Sequence, residues 1–180
     1  MNNLKHIFIF KLVIGTSLLL IPIDSTWAQP NQTTFWLNGG LGISSLGSLG
    51  GNANISVHFD KFLLSLRSTV NSEKSGLFVG GDEFFDMGLL FGLAKSEQKQ
   101  FFSIAIGIAR VTGNHYIGEP GLFSDGHRVD ITPVIGLPLE AQLFFRPTGF
   151  LGLGTYLYGN LNSEHSFSGI TFCLQVGKLR

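Results

Sequence analysis

Between residues 33 and 178 the chain repeats one pattern eight times: a stretch of about 8 to 13 residues alternating apolar with small or polar side chains, then a turn. A period of two sustained over this length restricts the fold to antiparallel strands. The strands are expected near 33 to 43, 51 to 59, 62 to 70, 84 to 94, 101 to 111, 131 to 145, 149 to 159 and 167 to 178. In the second, Ala53, Ile55, Val57 and Phe59 share one face, and Asn52, Asn54, Ser56 and His58 the other. The fourth sets Phe85, Met87, Leu89, Phe91 and Leu93 against Asp86, Gly88, Gly92 and Ala94. The fifth sets Phe102, Ile104, Ile106 and Ile108 against Ser103, Ala105, Gly107 and Ala109. Helical spacing does not account for these sets.

The first 28 residues stand apart. Lys5 and Lys11 precede the apolar run Leu12 to Ile23, and Thr26-Trp27-Ala28 offers a small-residue cleavage site before Gln29. An uncharged run of about 12 residues falls short of the roughly 20 that span a bilayer as a helix. The segment reads as a secretory signal peptide, and residues 29–180 as one exported domain without a Pro/Ser-rich linker. A net charge of +0 lacks the concentrated basic surface that nucleic acid requires. Cys173 is the only cysteine, so no intrachain disulfide staples the fold. Its place beside Thr171 and Gln175 on the non-apolar face marks it as a small buried residue rather than a reactive thiol.

Alternation alone fits a soluble lipocalin-like barrel, with the apolar face inward, as well as a membrane barrel with that face outward. The other face decides. A soluble barrel needs Lys, Glu and Arg along its strands to meet water, whereas here that face is mainly Gly, Ser, Asn, Thr and Ala. Strand interiors carry only Arg67, Asp86, Arg110, Glu140 and Lys178 as charges. Small residues such as Gly88, Gly92, Gly107, Gly136, Gly152, Gly154 and Gly177 suit the narrow lumen of an eight-stranded barrel. The connections agree: short ones at Asp60-Lys61, Lys95 to Gln100 and Arg146 to Thr148, mostly longer ones at Ser44 to Gly50, Asn71 to Glu83, Thr112 to Asp130 and Asn160 to Ser166. Short periplasmic turns and longer outward loops are the layout of an outer-membrane barrel. The expected fold is therefore all-β, an eight-stranded antiparallel up-and-down transmembrane β-barrel.

In this layout the chain resembles the small eight-stranded outer-membrane proteins of Gram-negative bacteria, the OmpA-like transmembrane barrel and its short relatives. The resemblance spans the mature chain and lies in layout more than in motif. It implies a monomer in outer-membrane lipid, inserted by the barrel assembly machinery. Family members commonly finish on an aromatic that this machinery reads, whereas this chain ends Gly177-Lys178-Leu179-Arg180.

Arg67, Asp86 and Glu140 fall on the lumen face and are expected to enter a polar network with Gln142, Tyr156 and Gln175. Barrel shear shifts heights between strands, so separate bonding of each charge to Gln142, Thr69, Tyr156 or Gln175 stands beside direct Arg67 to Glu140 pairing. By parity Trp36, Tyr156 and Tyr158 point inward, leaving Phe35, Phe62, Phe102 and Phe145 as interfacial girdle residues. Pro133 and Pro138 each remove a ladder donor from the sixth strand, so local distortion is expected, with regular pairing starting after Pro133.

Some small barrels of this class modify lipid A with a His, a Ser and an acid near the membrane surface. Glu164, His165, Ser166 and Ser168 lie together at the last loop, but adjacent strand residues diverge, and His165 and Ser166 would not share a proton. His115, Glu119, Asp125, His127 and Asp130 match no metal-ligand spacing and read as a solvated loop. No catalytic residue, cofactor or metal is expected. The reading is a non-enzymatic barrel whose bore is filled by side chains, with Thr112 to Asp130 the leading loop for an extracellular partner. The two alternatives are a lipid A modifying barrel enzyme and a soluble periplasmic barrel binding a hydrophobic ligand.

Overall fold

The computed structural model describes residues 33–47, 49–75, 79–117 and 127–180. The expected signal segment and its cleavage site lie outside these. Eight strands follow in order: β1 Thr34–Ser44, β2 Leu49–Phe59, β3 Phe62–Ser75, β4 Val79–Glu97, β5 Gln100–Ile117, β6 His127–Phe145, β7 Leu151–Leu161 and β8 Phe167–Lys178. Each pairs antiparallel with its sequence neighbours, and β1 pairs with β8 from Phe35↔Lys178 to Ser44↔Gly169, closing the barrel. Closure removes the two strand edges that an open eight-stranded sheet would leave unpaired.

The period of two sets the two faces. Phe35, Leu37, Ile55, Leu64, Leu66, Phe85, Leu89, Phe91, Ile104, Ile106, Leu143, Phe145, Phe172 and Leu174 all project outward and are exposed. The alternate residues Asn52, Asn54, Ser56 and His58, with Arg67, Thr69, Asp86, Ser103, Gln142 and Gln175, are buried in the bore. The barrel thus inverts the arrangement of a water-soluble domain, in which large apolar patches are covered and polar groups meet solvent.

β3, β4, β5 and β6 run three or more residues past the expected limits. The expected loop over 71–83 is largely paired, since β3 and β4 continue to Ser75↔Val79. Likewise β5 and β6 pair as far as Ile117↔His127, which leaves 118–126 of the expected loop 112–130 between strands. The cause is that backbone pairing continues through stretches such as Asn71-Ser72 and Thr112-Gly113-Asn114, whose residues lack the apolar alternation that marks a strand. β6 pairs with β7 only from Leu137 onward, so its residues before Leu137 rise above the neighbouring strand. The barrel therefore has a tall wall over β3 to β6 and a low one over the rest.

The prolines act differently from each other. Pro138 keeps its register with Asn160 on β7, but the β5 ladder is interrupted between Ile106↔Leu139 and Ala109↔Gly136 with no change of register. A missing N–H explains this interruption. Pro133 sits where the register shifts by one, between Val111↔Val134 and Gly113↔Ile131. Pairing does not start after Pro133, as expected, but resumes before it across a bulge, one of the positions at which a sheet tolerates proline. Among the turns, Asp60 takes φ 55 between Phe59 and Phe62, a left-handed conformation that Asp accepts more readily than most residues.

Candidate functional site: the polar bore

The bore holds several clusters, the first around Arg67 and Asp86, both fully buried. Arg67 Nη2 donates to Asp86 Oδ2 at 2.5 Å, and the guanidinium also reaches the carbonyls of Leu139 (3.0 Å) and Gly159 (3.3 Å). The Asp86 carboxylate accepts two more bonds, from Thr69 Oγ1 at 2.7 Å and Asn160 Nδ2 at 2.8 Å. Asn160 fits there because Gly136 faces it: a Cβ at that position would come within 2.0 Å of Asn160 Oδ1.

Glu140 forms a separate cluster. Its carboxylate accepts from Tyr156 Oη and from Gln142 Nε2 at 2.9 Å, not from Arg67. Arg67 and Glu140 are therefore members of neighbouring clusters, and the direct pairing weighed from sequence is replaced by the Arg67–Asp86 pair. Thr69, one of the alternative partners, bonds to Asp86.

Gln175 belongs to neither cluster. Its Oε1 accepts from Arg146 Nε at 2.8 Å, at the short-turn end of the bore. There the Arg146 guanidinium lies 3.8 Å from the Phe101 ring centroid and 4.7 Å from that of Trp36, and the two rings meet edge to face at 4.9 Å. Arg146 also donates to the Leu179 carbonyl at 3.3 Å. Burial first, and then Arg180, pull the Arg146 pKa down to about 9, so the group stays charged at neutral pH. Sequence places Arg146 in the short connection Arg146 to Thr148. The turn indeed follows β6, but the side chain folds back into the mouth of the bore, a direction that strand parity does not encode.

Toward the other end, Tyr158 crosses the bore and donates to Asn71 Oδ1 at 2.5 Å. It can do so because Gly50 and Gly169 leave room: a Cβ on either would lie within 2.4 Å of the phenol oxygen. Cys173 is buried beside Thr171 and Asn52, its Sγ 3.2 Å from each. Not every polar atom finds a protein partner; Asn54 Nδ2 and Oδ1, Asn38 Nδ2, Arg67 Nε and Gln142 Oε1 have none. Buried polar groups of this kind are satisfied by internal water.

The last loop is organised by Asn162. Its Oδ1 accepts from the backbone N–H groups of Glu164 (3.1 Å) and His165 (2.7 Å), and the Ser166 hydroxyl donates to the Asn162 carbonyl at 3.1 Å. The His165 ring packs 5.0 Å from that of Phe84. The His165 ring and the Ser166 hydroxyl thus have separate partners, Phe84 and Asn162. Of the polar residues on the longest connection, His115 Nδ1 meets Asp82 Oδ2 at 2.6 Å, while Glu119, Asp125 and the His127 side chain lie outside the described residues. Among the described residues no three His, Cys, Asp or Glu side chains gather as a metal site.

No protein-family model matches the sequence, and no curated protein does. Solved structures do match in fold. The N-terminal β-barrel domain of Pseudomonas aeruginosa OprF superposes with a TM-score of 0.55 at 12% identity, covering 83% of this chain and 99% of that one. Neisserial surface protein A gives 0.54 at 12% identity, covering 80% and 94%. Ail, the attachment invasion locus protein of Yersinia pestis, gives 0.51 at 10% identity, covering 83% and 98%, and has also been solved in complex with the heparin analogue sucrose octasulfate. The chain has the fold of the small eight-stranded outer-membrane barrels.

Proposed function

We propose that the protein is a non-enzymatic barrel of the bacterial outer membrane, exported by residues 1–28, with its bore filled by side chains and its surface role carried by the extracellular end. The observation that carries this reading is the inversion of the two faces. A closed ring of exposed Leu, Ile, Phe and Val surrounds a bore whose Arg67, Asp86, Thr69 and Asn160 bond to one another. In water such a ring would be an aggregation hazard; in a bilayer it is the solvent-matched surface. Eight strands leave a bore that side chains can fill, and Tyr158, Trp36, Phe101 and Arg146 reach across it here. Protein contact falls to the tall wall, whose β5–β6 hairpin carries the connection 118–126.

The reading is tested by cell fractionation and by gel mobility before and after boiling. The protein should require detergent for release and should migrate differently when folded. Release by osmotic shock alone would favour a soluble periplasmic barrel. Lipid A mass profiles with and without the protein test the enzymatic alternative, and an acyl-chain difference abolished by His165→Ala would overturn the proposal.

A further inference from the structure

We propose that the short-turn rim is a docking surface for anionic phospholipid headgroups, an inference that rests on the membrane reading above. The rim carries Lys61, Lys95, Lys99, Lys178 and Arg180 against Asp60 and Glu97. By sequence, the strand ends and last loop at the opposite rim carry Glu73, Asp82, Glu83, Asp130 and Glu164 against Lys74 and Arg128. The two ends of the barrel therefore differ in sign.

The placement of the lysines selects lipid over a soluble acidic partner. Lys95 continues the outward face of Leu93, and Lys178 that of Val176, so both side chains leave the lateral wall rather than the mouth. Each stands beside an outward phenylalanine in the sheet: Lys95 opposite Phe102, Lys178 opposite Phe35. Lys61 Nζ lies 5.5 Å from the Phe62 ring centroid, and Phe62 stacks on Phe91 at 5.5 Å. Three ammonium groups thus emerge at the level where aromatic rings mark the boundary of the hydrocarbon. Long Lys stems run along apolar surface and present their charge at the headgroups, where phosphate lies. Lys95 also meets Glu97 at 2.9 Å, but that pair is exposed and a lipid phosphate can compete for it.

The test compares the barrel reconstituted in bilayers of phosphatidylcholine containing trace chain-spin-labelled phosphatidylglycerol or phosphatidylcholine. Electron spin resonance reads the fraction of each label held at the protein. The expected relative association constant for phosphatidylglycerol is about threefold or more, falling toward one in K61Q/K95Q/K178Q and in high salt. The triple Lys→Arg variant should retain the preference. Gel mobility before and after boiling confirms folding of each variant. Insertion with no anionic preference, or a preference unchanged in the triple Gln variant, overturns the proposal alone. Failure to insert in either lipid overturns the membrane reading and the proposal with it. Binding of soluble polyglutamate without lipid preference overturns the choice of lipid as occupant.

Discussion

Arg67→Ala should be among the most damaging single substitutions in the bore. The guanidinium and the Asp86 carboxylate are both at 0% exposure and 2.5 Å apart. Removing Arg67 leaves Asp86 with only the Thr69 and Asn160 bonds, and strips a donor from the carbonyls of Leu139 and Gly159. Breaking one partner of a buried pair costs about 3 to 5 kcal/mol, because the remaining charge is uncompensated. Water entering the space left by the side chain moves the value toward the lower end. With a urea m-value of about 1 to 3 kcal/mol per molar, the midpoint should fall by roughly 1 to 3 M. The assay is urea unfolding in lipid vesicles, followed by gel mobility and by Trp36 emission. In a chain beginning at Gln29, Trp36 is the lone tryptophan, because Trp27 belongs to the expected signal segment. The double variant Arg67→Met with Asp86→Leu should recover much of the loss, giving a coupling of about 1 to 3 kcal/mol. A midpoint shift below about 0.3 M for Arg67→Ala, or coupling near zero, would refute the reasoning and make the bore an open aqueous space in which each charge is separately hydrated.

Arg146→Ala should lose about 2 kcal/mol or somewhat less and shift Trp36 emission, since the ring loses the guanidinium stacked on it; an unchanged spectrum would sink the aromatic–cation contact. Gly136→Val should push Asn160 away from Asp86 and destabilise by about 1 to 3 kcal/mol, whereas Gly149→Ala, where a Cβ meets nothing within 4 Å, should be silent in the same unfolding assay. Leu89→Arg, on the outward face, should destabilise the barrel in vesicles by about 2 to 4 kcal/mol if that position lies near the bilayer midplane; a neutral effect would count against a lipid-facing surface. Tyr156→Phe removes one of the donors to Glu140 and should lower the unfolding midpoint by an amount equivalent to about 1 to 3 kcal/mol, with no shift meaning that water replaces the phenol.

Strand parity was readable because lipid and lumen impose opposite chemistry on successive residues. Arg67, Asp86, Glu140, Gln142, Tyr156 and Gln175 are all inside, as alternation requires. Their grouping was not readable. Which residues meet across a barrel depends on shear, and shear placed Asn160, assigned to a loop from sequence, against Asp86. Arg146 escaped for a different reason, since a turn residue has no parity and its direction follows from the aromatic faces of Trp36 and Phe101. The height of β3 to β6 escaped because stretches such as Asn71-Ser72 and Thr112-Gly113-Asn114 lack the apolar alternation that reveals a strand, although β5 and β6 stay paired from Asn114↔Asp130 to Ile117↔His127. Leu179, just past the end of β8, is buried and donates its N–H to the Gly149 carbonyl at 2.8 Å.

The β1–β8 seam has a consequence in time. Phe35 and Lys178 stand in the first and eighth strands of the barrel yet are direct sheet partners, so a segment made much later supplies the first strand's missing neighbour. Contacts of such sequence separation form slowly, because chain entropy must be lost before they repay it. Until β8 arrives, the Thr34–Ser44 strand offers an unpaired backbone edge and its row of Phe35, Leu37, Leu41 and Ile43 to whatever is near. Completion is therefore close to all-or-none: a chain cut before Phe167 would carry seven strands and two open edges, and should accumulate as aggregate rather than as a smaller barrel.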